Sequence, residues 1–274
     1  GMQESSVFWL RIAATLYFFG LLHALITLFG RRNFLERAAL SGFTVAVVLH
    51  MVSLVELTRA TGQLPVANFY ESASLLAFLI ALVFLFVRWK YQFAPLSIFL
   101  LPLVFVMTLV GAMELPVAGW PSPGLREGWL LVHVLSVLSG YAALLLTAGA
   151  SIFYLVRERQ LKDKRPGAWF DHLPPLGTLD SITTKALSIS FIFITCGVVS
   201  GLTWAFIESG TRWMLDARIQ VALITWALCL GAVFLRNMAG WRGRKAAMLS
   251  ITLMGCAALT WATHVGLRKV LLER

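Results

Sequence analysis

The sequence predicts an all-α polytopic membrane protein with about eight transmembrane helices and both termini outside. Three observations carry this prediction. Hydrophobic residues make up 59% of the 274 residues and charged residues only 13%, whereas a soluble domain carries about 25% charged residues. The apolar residues come in blocks long enough to cross hydrocarbon, which takes roughly 20 residues of helix. The basic residues gather in alternate loops. Backbone groups in lipid must be satisfied within the chain, which leaves helices or a closed barrel. Barrel strands alternate polar and apolar residues, and these blocks do not.

The first block, 7–28, is too long for the apolar core of a cleavable signal and is expected to remain as an anchor. Gly1 ahead of Met2 reads as an addition before the native start. The second block is 38–57. The third, 72–87, is short, but Asn68 with Glu71 three positions on has the spacing of a capping box, so its helix is expected to start near Asn68. The fourth block is 95–111. The fifth, 129–156, is long enough to project beyond the bilayer on one side. The sixth, 185–206, contains Gly197 and Gly201, a GxxxG step that favours close helix packing. The seventh and eighth are 219–235 and 246–267. No internal repeat divides them, and the chain reads as one transmembrane domain over 1–274. The longest polar stretch, 157–180, contains a PPLG run and several basic residues. It reads as a cytoplasmic loop close to anionic lipid.

Orientation follows from the loops. One set holds Arg31, Arg32, Arg37, Arg88, Lys90, Arg157, Arg159, Lys162, Lys164, Arg165, Arg236, Arg242, Arg244 and Lys245. The alternate set holds only Arg59, Arg126, Arg212 and Arg218. Cytoplasmic loops carry the excess of Lys and Arg, which puts both termini outside and the chain in a bacterial inner (plasma) membrane. The C-terminal Arg268, Lys269 and Arg274 weigh the other way and are outnumbered. The net charge of +10 is therefore a topology signal rather than a sign of nucleic-acid binding. Cys196, Cys229 and Cys256 each lie inside an apolar block, with no CxxC pair and no CxxCH. That excludes a thiol relay and a covalently attached c-type heme of the chain's own.

Ionisable residues inside a membrane are expensive, so the histidines are the first place to look for function. His172 falls in the polar stretch. His133 lies one turn into the fifth helix from its outer end, and His264 lies near the outer end of the eighth. His50 lies in the outer half of the second helix with Ser53 on nearly the same face, and His23 in the inner part of the first. Two outer histidines at similar depth could supply both axial nitrogens of a heme iron. For each, the alternative is an imidazole hydrogen-bonded to a neighbouring helix. Trp204 and Trp213 flank the connection between the sixth and seventh blocks. Trp120, Trp129 and Trp261 fall near outer helix ends, and Trp226 lies deeper. These rings read either as an interfacial aromatic belt or as a shelf for a planar macrocycle. Arg212 and Arg218 either neutralise carboxylates on such a ligand or stand as solvated loop charges.

Several segments resemble the CcsA/ResC group of cytochrome c assembly proteins, which present heme through a tryptophan-rich outer segment. LPVANFYES, 64–72, is similar to the family's opening of the helix after its second span. WLLVHVLSVLSGYAALLL, 129–146, is similar to the family helix bearing an external heme-ligand histidine, which gives His133 that role by resemblance. GWRG, 240–243, and ALITW, 222–226, also match. The tryptophan-rich signature is retained in part: Gly201, Trp204, Ala205, Gly210, Trp213 and Asp216 stand in register. Ser209, Leu215 and Val221 replace family tryptophans, and Ala217 and Ile219 replace the Pro and Glu of its DPKE step. Arg236 stands where the family often has a transmembrane histidine. The family's second external histidine has no match in register, so His264 is assigned by depth. A thinned signature also resembles the HemX and YpjD-like relatives.

The resemblance implies a heme-binding inner-membrane protein of c-type cytochrome biogenesis that holds or presents heme at the outer face. His133 and His264 would ligate iron, Trp204 and Trp213 pack the ring, and Asp216 orient the loop, with His50 and Arg212 as further contacts. No residue reads as an independent acid, base or nucleophile. Thioether formation would therefore need a CcsB-like partner subunit and a reduced apocytochrome c, and the chain alone is not expected to be an enzyme. The alternative is a HemX-like membrane regulator of heme synthesis that contacts a cytoplasmic enzyme such as glutamyl-tRNA reductase. A transporter of another substrate is disfavoured, because mid-membrane polar groups are few and no paired broken helices are evident.

Overall fold

A computed structural model describes residues 2–27, 35–91, 96–164, 172–237 and 239–272, with the side chains of residues 2, 211 and 263–272 excepted. Among the described residues there is no strand. The helices are α1 (Met2–Thr27), α2 (Glu36–Thr61), α3 (Phe69–Tyr91), α4 (Leu96–Gly111), α5 (Pro123–Asp163), α6 (Leu176–Ser209), α7 (Ala217–Asn237) and α8 (Arg244–Leu272). A 3₁₀ turn, Gly210–Leu215, precedes α7. Seven of the helices are long and apolar enough to cross a membrane, and α4 is a shorter apolar helix. The protein is thus a multi-pass helical membrane protein.

The eight blocks each became a helix, most of them longer than the block, and the largest extensions are those of α5 and α6. Asn68 caps α3 as expected: its Oδ1 accepts the Glu71 N–H at 2.8 Å. Glu71 Oε2 reaches one residue further back than in the standard box, to the Ala67 N–H at 2.9 Å. The fifth helix runs 41 residues, about 62 Å at 1.5 Å per residue, roughly twice the hydrocarbon thickness. It starts early because the Ser122 Oγ accepts the Leu125 N–H and Pro123 takes the first helical position. The polar stretch 157–180 is not the loop the sequence suggested. Arg157, Arg159 and Lys162 continue α5, and α6 begins at Leu176. Residues 165–171, with Arg165 among them, lie outside the described residues.

The helices form two compact units, one of residues 1–119 with 206–211 and the other of residues 120–205 with 212–274. In the first unit α1 and α2 run antiparallel. Ser6 and Ser53 exchange side-chain-to-backbone hydrogen bonds at 2.8 and 2.7 Å, and Tyr17 packs on Phe43 further along. The short α4 is apolar on nearly every side and lies buried against α1 and α3, as such helices must. Arg11 of α1 caps its end, donating to the Ala112 and Leu115 carbonyls. In the second unit α5 packs antiparallel to α6, and α7 joins α6 and α8 through Trp226 Nε1 donating to Thr195 Oγ1 (3.1 Å) and a Thr225–Thr260 hydroxyl pair (2.8 Å). The outward faces of α2, α3 and α5 carry large exposed apolar side chains, among them Leu131, Leu135 and Leu145. Lipid is the solvent that suits them.

Candidate functional site

Two matched stripes build the site in the second unit. On α5, Arg126, Trp129, His133, Val137 and Gly140 recur at helical spacing and so share one face. On α6, Ile194, Gly197, Ser200, Gly201 and Trp204 do the same. The two faces meet so closely that a Cβ on Gly197 would stand 2.9 Å from Val137 Cγ2, and one on Gly201 would stand 2.7 Å from His133 Cε1. The GxxxG step is therefore a packing device, as the sequence suggested, and its second glycine makes room for the imidazole.

His133 is half-buried in that groove. Its Nδ1 lies 2.9 Å from the Gly197 carbonyl oxygen and 3.2 Å from Ser200 Oγ. A carbonyl can only accept, so Nδ1 carries the proton and donates it to Gly197. The hydroxyl of Ser200 donates to the Cys196 carbonyl at 2.6 Å. This fixes both the ring orientation and the tautomer, and leaves Nε2 with its lone pair. A backbone carbonyl on the far nitrogen is the outer-shell arrangement that metal-ligating histidines use.

Above His133 stands an aromatic cluster. Trp129, one turn toward the α5 N-terminus, donates from Nε1 to the Ser200 carbonyl at 2.9 Å. Trp120 bridges Trp129 and Trp204, with ring centroids 6.3 and 5.2 Å away and interplanar angles near 50°. The guanidinium of Arg126 lies 4.8 Å from the Trp204 ring centre. Of the residues singled out in the sequence, His133 and Trp204 therefore share one end of the α5–α6 pair. Trp213, on the 3₁₀ turn, is buried, and its Nε1 finds no hydrogen-bond partner. Asp216 caps α7, its Oδ1 accepting the Arg218 N–H at 3.0 Å and lying 3.3 Å from Arg218 Nε. Arg218 is thereby engaged with Asp216, and Arg212 is exposed. His264 lies on α8, with its side chain outside the described residues.

His50 belongs to the first unit and has a different setting. It is fully buried, Nδ1 lies 3.1 Å from the Tyr17 hydroxyl, and Nε2 lies 2.9 Å from Ser74 Oγ. Both nitrogens are occupied, and the ring meets Tyr17 and Phe78 edge-on. His23 has an Nε2 that is buried without a partner, and His172 is exposed.

A second polar cluster sits at the opposite end of α6. Arg236, buried in the last turn of α7, donates from Nε to Thr184 Oγ1 (2.6 Å). Its Nη2 donates to the Asp180 carbonyl (2.9 Å) and carboxylate (2.8 Å). Arg242 lies 3.6 Å from the other carboxylate oxygen of Asp180. This pairing was absent from the sequence reading, although an arginine inside an apolar helix needs a partner and was the signal that could have found it. Ser200 and the role of Gly201 were also unremarked, and Arg126 was counted only as a loop charge. The i, i+3, i+7 spacing of Arg126, Trp129 and His133 was the available clue.

The class of protein defined so far is a multi-pass helical membrane protein with an anchored imidazole and clustered indoles at one end of a helix pair. The chain belongs to the cytochrome c assembly protein family, whose model matches residues 66–262. Among its relatives, the cytochrome c biogenesis protein CcsA of Heterosigma akashiwo is 28% identical over 220 residues, 68% of each chain. The CcsA of Prochlorococcus marinus strain MIT 9301 is 28% identical over 244 residues, 77% of this chain and 78% of its own. That of Chlorella vulgaris is 26% identical over 254 residues, 81% of each. No solved structure matches the chain.

Proposed function

We propose that the second unit binds heme through His133 at the outer face of a bacterial inner membrane and holds it for attachment to apocytochrome c. The observation that carries this reading is the anchored tautomer of His133: Nδ1 is committed to the Gly197 carbonyl, and Nε2 is left to bind iron. Gly201 makes room for the imidazole of His133, and indoles stand one turn above it at the same end of the helix pair, a set of side chains whose chemistry suits an imidazole-ligated porphyrin. Among the described residues no cluster of three or more His, Cys, Asp or Glu could hold a metal ion. Iron at His133 must therefore bring most of its ligands with it, as a porphyrin iron does.

Orientation supports the same reading. The end of the second unit away from His133 carries Arg157, Arg159, Lys162, Arg236, Arg242, Arg244 and Lys245. On the positive-inside rule that end is the cytoplasmic one, which turns His133 outward. His264 is proposed as the second axial ligand from its depth on α8. His50 has no part in this reading, since both of its nitrogens are taken. Heme brings the reactive vinyl groups, and this chain's residues bind and orient it. The remaining steps fall to a CcsB-like partner subunit and the reduced apocytochrome.

The test is a visible spectrum of the protein purified in detergent. A low-spin, imidazole-ligated heme that is lost in His133→Ala and restored by added imidazole is the expected result. A colourless wild-type protein that co-purifies with an enzyme such as glutamyl-tRNA reductase would overturn it in favour of a regulator of heme synthesis.

A further inference from the structure

We infer that the turn between α7 and α8 binds the phosphate headgroup of an anionic phospholipid, whose acyl chains lie along an exposed apolar row of α8. The site stands at the end of the second unit away from His133 and does not depend on the heme reading.

The turn is fixed before any ligand arrives. Gly240 and Gly243 both take positive φ, 66° and 65°, a region open to glycine at little cost. The Ala239 and Trp241 N–H groups both donate to the Leu235 carbonyl, which ties the turn to the end of α7. A Cβ on Gly243 would stand 2.8 Å from Tyr154 Oη, so the other end of the turn is pressed against α5.

Charge on this turn is out of balance. Helix α8 opens on Arg244 and Lys245, with no acidic residue in its first turn. A helix N-terminus has open N–H groups and the positive end of the dipole, so it favours an anion and disfavours cations. Gly243 has no side chain with which to cap it. Among the described residues, the carboxylate in contact with the turn is that of Asp180, and it is shared. Its Oδ1 accepts Arg236 Nη2 at 2.8 Å and the Gly243 N–H at 3.5 Å, and its Oδ2 lies 3.6 Å from Arg242. One negative charge thus faces two guanidinium groups and a helix start. Arg236 is 2% exposed, and its Nη1 has no acceptor. Because Arg236 and the Gly243 N–H converge on one oxygen, that unsatisfied donor stands beside the start of α8. Glu158, the other acid near Tyr154, is paired with Lys162 at 3.4 Å. Arg244 and Lys245 are exposed and have no carboxylate partner among the described residues. A phosphate at the head of α8 would answer all of this at once.

The surface below the cations says which phosphate. Lys245 heads an exposed row, Met248, Thr252, Gly255 and Leu259, at the spacing of one helix face. The Thr252 hydroxyl donates to the Met248 carbonyl, so its polar group is satisfied within the helix. A Cβ on Gly255 would meet nothing within 4 Å, so the row is open at its middle. From Met248 to Leu259 it runs about 16 Å, the depth of one leaflet. Cations at the head of an apolar row of that length match a molecule that joins a phosphate to acyl chains. Trp241 is half-buried at the junction, with Lys245 Nζ 5.5 Å from its ring centre, as an indole at a lipid interface is placed. A soluble phosphate would engage the cations and leave the row without a partner.

The test uses the full-length protein in detergent, with phosphatidylglycerol or phosphatidylcholine of the same acyl chains added in mixed micelles. Native mass spectrometry reads binding, and thermal unfolding reads stability. The wild type is expected to bind phosphatidylglycerol at least about tenfold more tightly than phosphatidylcholine. Arg244→Gln combined with Lys245→Gln should remove most of that preference. Without added lipid this double variant should melt no lower than the wild type, because it takes cations away from a helix N-terminus. With saturating phosphatidylglycerol it should melt lower. Arg159→Gln removes a cation that is 87% exposed at the same end of the unit and should leave the preference intact. Equal binding of the two lipids by the wild type would overturn the inference. So would an equal loss in Arg159→Gln, which would mean diffuse attraction without a site. A double variant that melts lower without lipid would overturn it too, since the protein's own groups would then be holding those cations. Displacement of phosphatidylglycerol by soluble glycerol phosphate would overturn the lipid assignment in favour of a free phosphate.

Discussion

His50 and His133 are both membrane histidines on apolar helices, and the two units use them in opposite ways. In the first unit His50 is a tie: each ring nitrogen meets a hydroxyl, Tyr17 on α1 and Ser74 on α3, so that α2 is fastened to both neighbours. In the second unit His133 spends one nitrogen on the Gly197 carbonyl and keeps the other. The difference teaches that a histidine in lipid is not by itself a ligand signal. What separates a structural imidazole from a metal-binding one is how many of its two nitrogens the protein has already satisfied. The most direct way to break this contrast is to exchange the losses. His133→Ala is expected to lower heme occupancy by at least about tenfold, equivalent to about 1.4 kcal/mol of binding, while His50→Phe keeps the heme spectrum. If His50→Phe bleaches the protein and His133→Ala does not, the roles assigned to the two residues are reversed.

The largest effect on stability is expected far from either histidine, at Asp180. Removing this carboxylate strands the buried guanidinium of Arg236, whose side chain is 2% exposed, and breaking a buried pair on one side costs about 3–5 kcal/mol. Asp180→Ala should therefore unfold in detergent at markedly lower temperature. Replacing both partners with apolar residues, as in Asp180→Leu with Arg236→Met, should recover most of the loss, since no charge is then left unpaired. Heme binding should survive in the double variant, because Asp180 and Gly201 are 21 residues apart on α6, about 31 Å along its axis. A double variant as unstable as the single one would show that the pair contributes more than charge compensation.

A smaller and more local effect tests the groove. In Gly201→Ala the new methyl would stand 2.7 Å from His133 Cε1, so the imidazole must move and its bond to the Gly197 carbonyl must lengthen. Overpacking of this kind costs about 1–3 kcal/mol. A pronounced loss of heme affinity with only a modest fall in melting temperature is the expected pair of results. Unchanged affinity would mean that the anchored tautomer does not govern binding, which removes the distinction drawn between the two histidines.

The difference in legibility between the units has a physical cause. Eight apolar blocks announced eight helices because length and hydropathy are properties of contiguous sequence. The start of α6 was missed because residues 176–184 look like a loop: they include Thr178, Asp180, Ser181, Thr183 and Thr184. Within the fold these polar groups are satisfied locally or by a distant cation. Thr183 and Thr184 donate back to the carbonyls of Leu179 and Asp180, and Arg236 supplies the rest. His133 stood out through the resemblance of its helix, but the state of its nitrogens depends on a carbonyl 64 positions away and could not be read from the chain. Arg126 looked like any solvated charge at a helix start, because its stacking partner, Trp204, comes from another helix.

The smallest effect belongs to the one local detail that the sequence did predict in the first unit, the cap of α3. Asn68 Oδ1 accepts the Glu71 N–H and its Nδ2 donates to Glu114 Oε1 at 2.9 Å, so Asn68→Ala removes a cap and a surface link together. Loss of an N-cap costs about 1 kcal/mol, and the exposed link to Glu114 adds little beyond that, since interactions between exposed side chains contribute at most about 1 kcal/mol. Asn68→Asp separates the two parts: it keeps the capping oxygen but sets a carboxylate against Glu114. It should therefore restore most of the helix cap while losing the link, and land between the wild type and Asn68→Ala in thermal unfolding. His50 follows Asn68 by proximity in the fold, since Ser74 lies on the same helix α3 six residues on. If fraying the start of α3 loosened the Tyr17–His50–Ser74 tie, Asn68→Ala would cost several times the value of a cap, and the tie would prove to depend on the cap rather than to stand on its own.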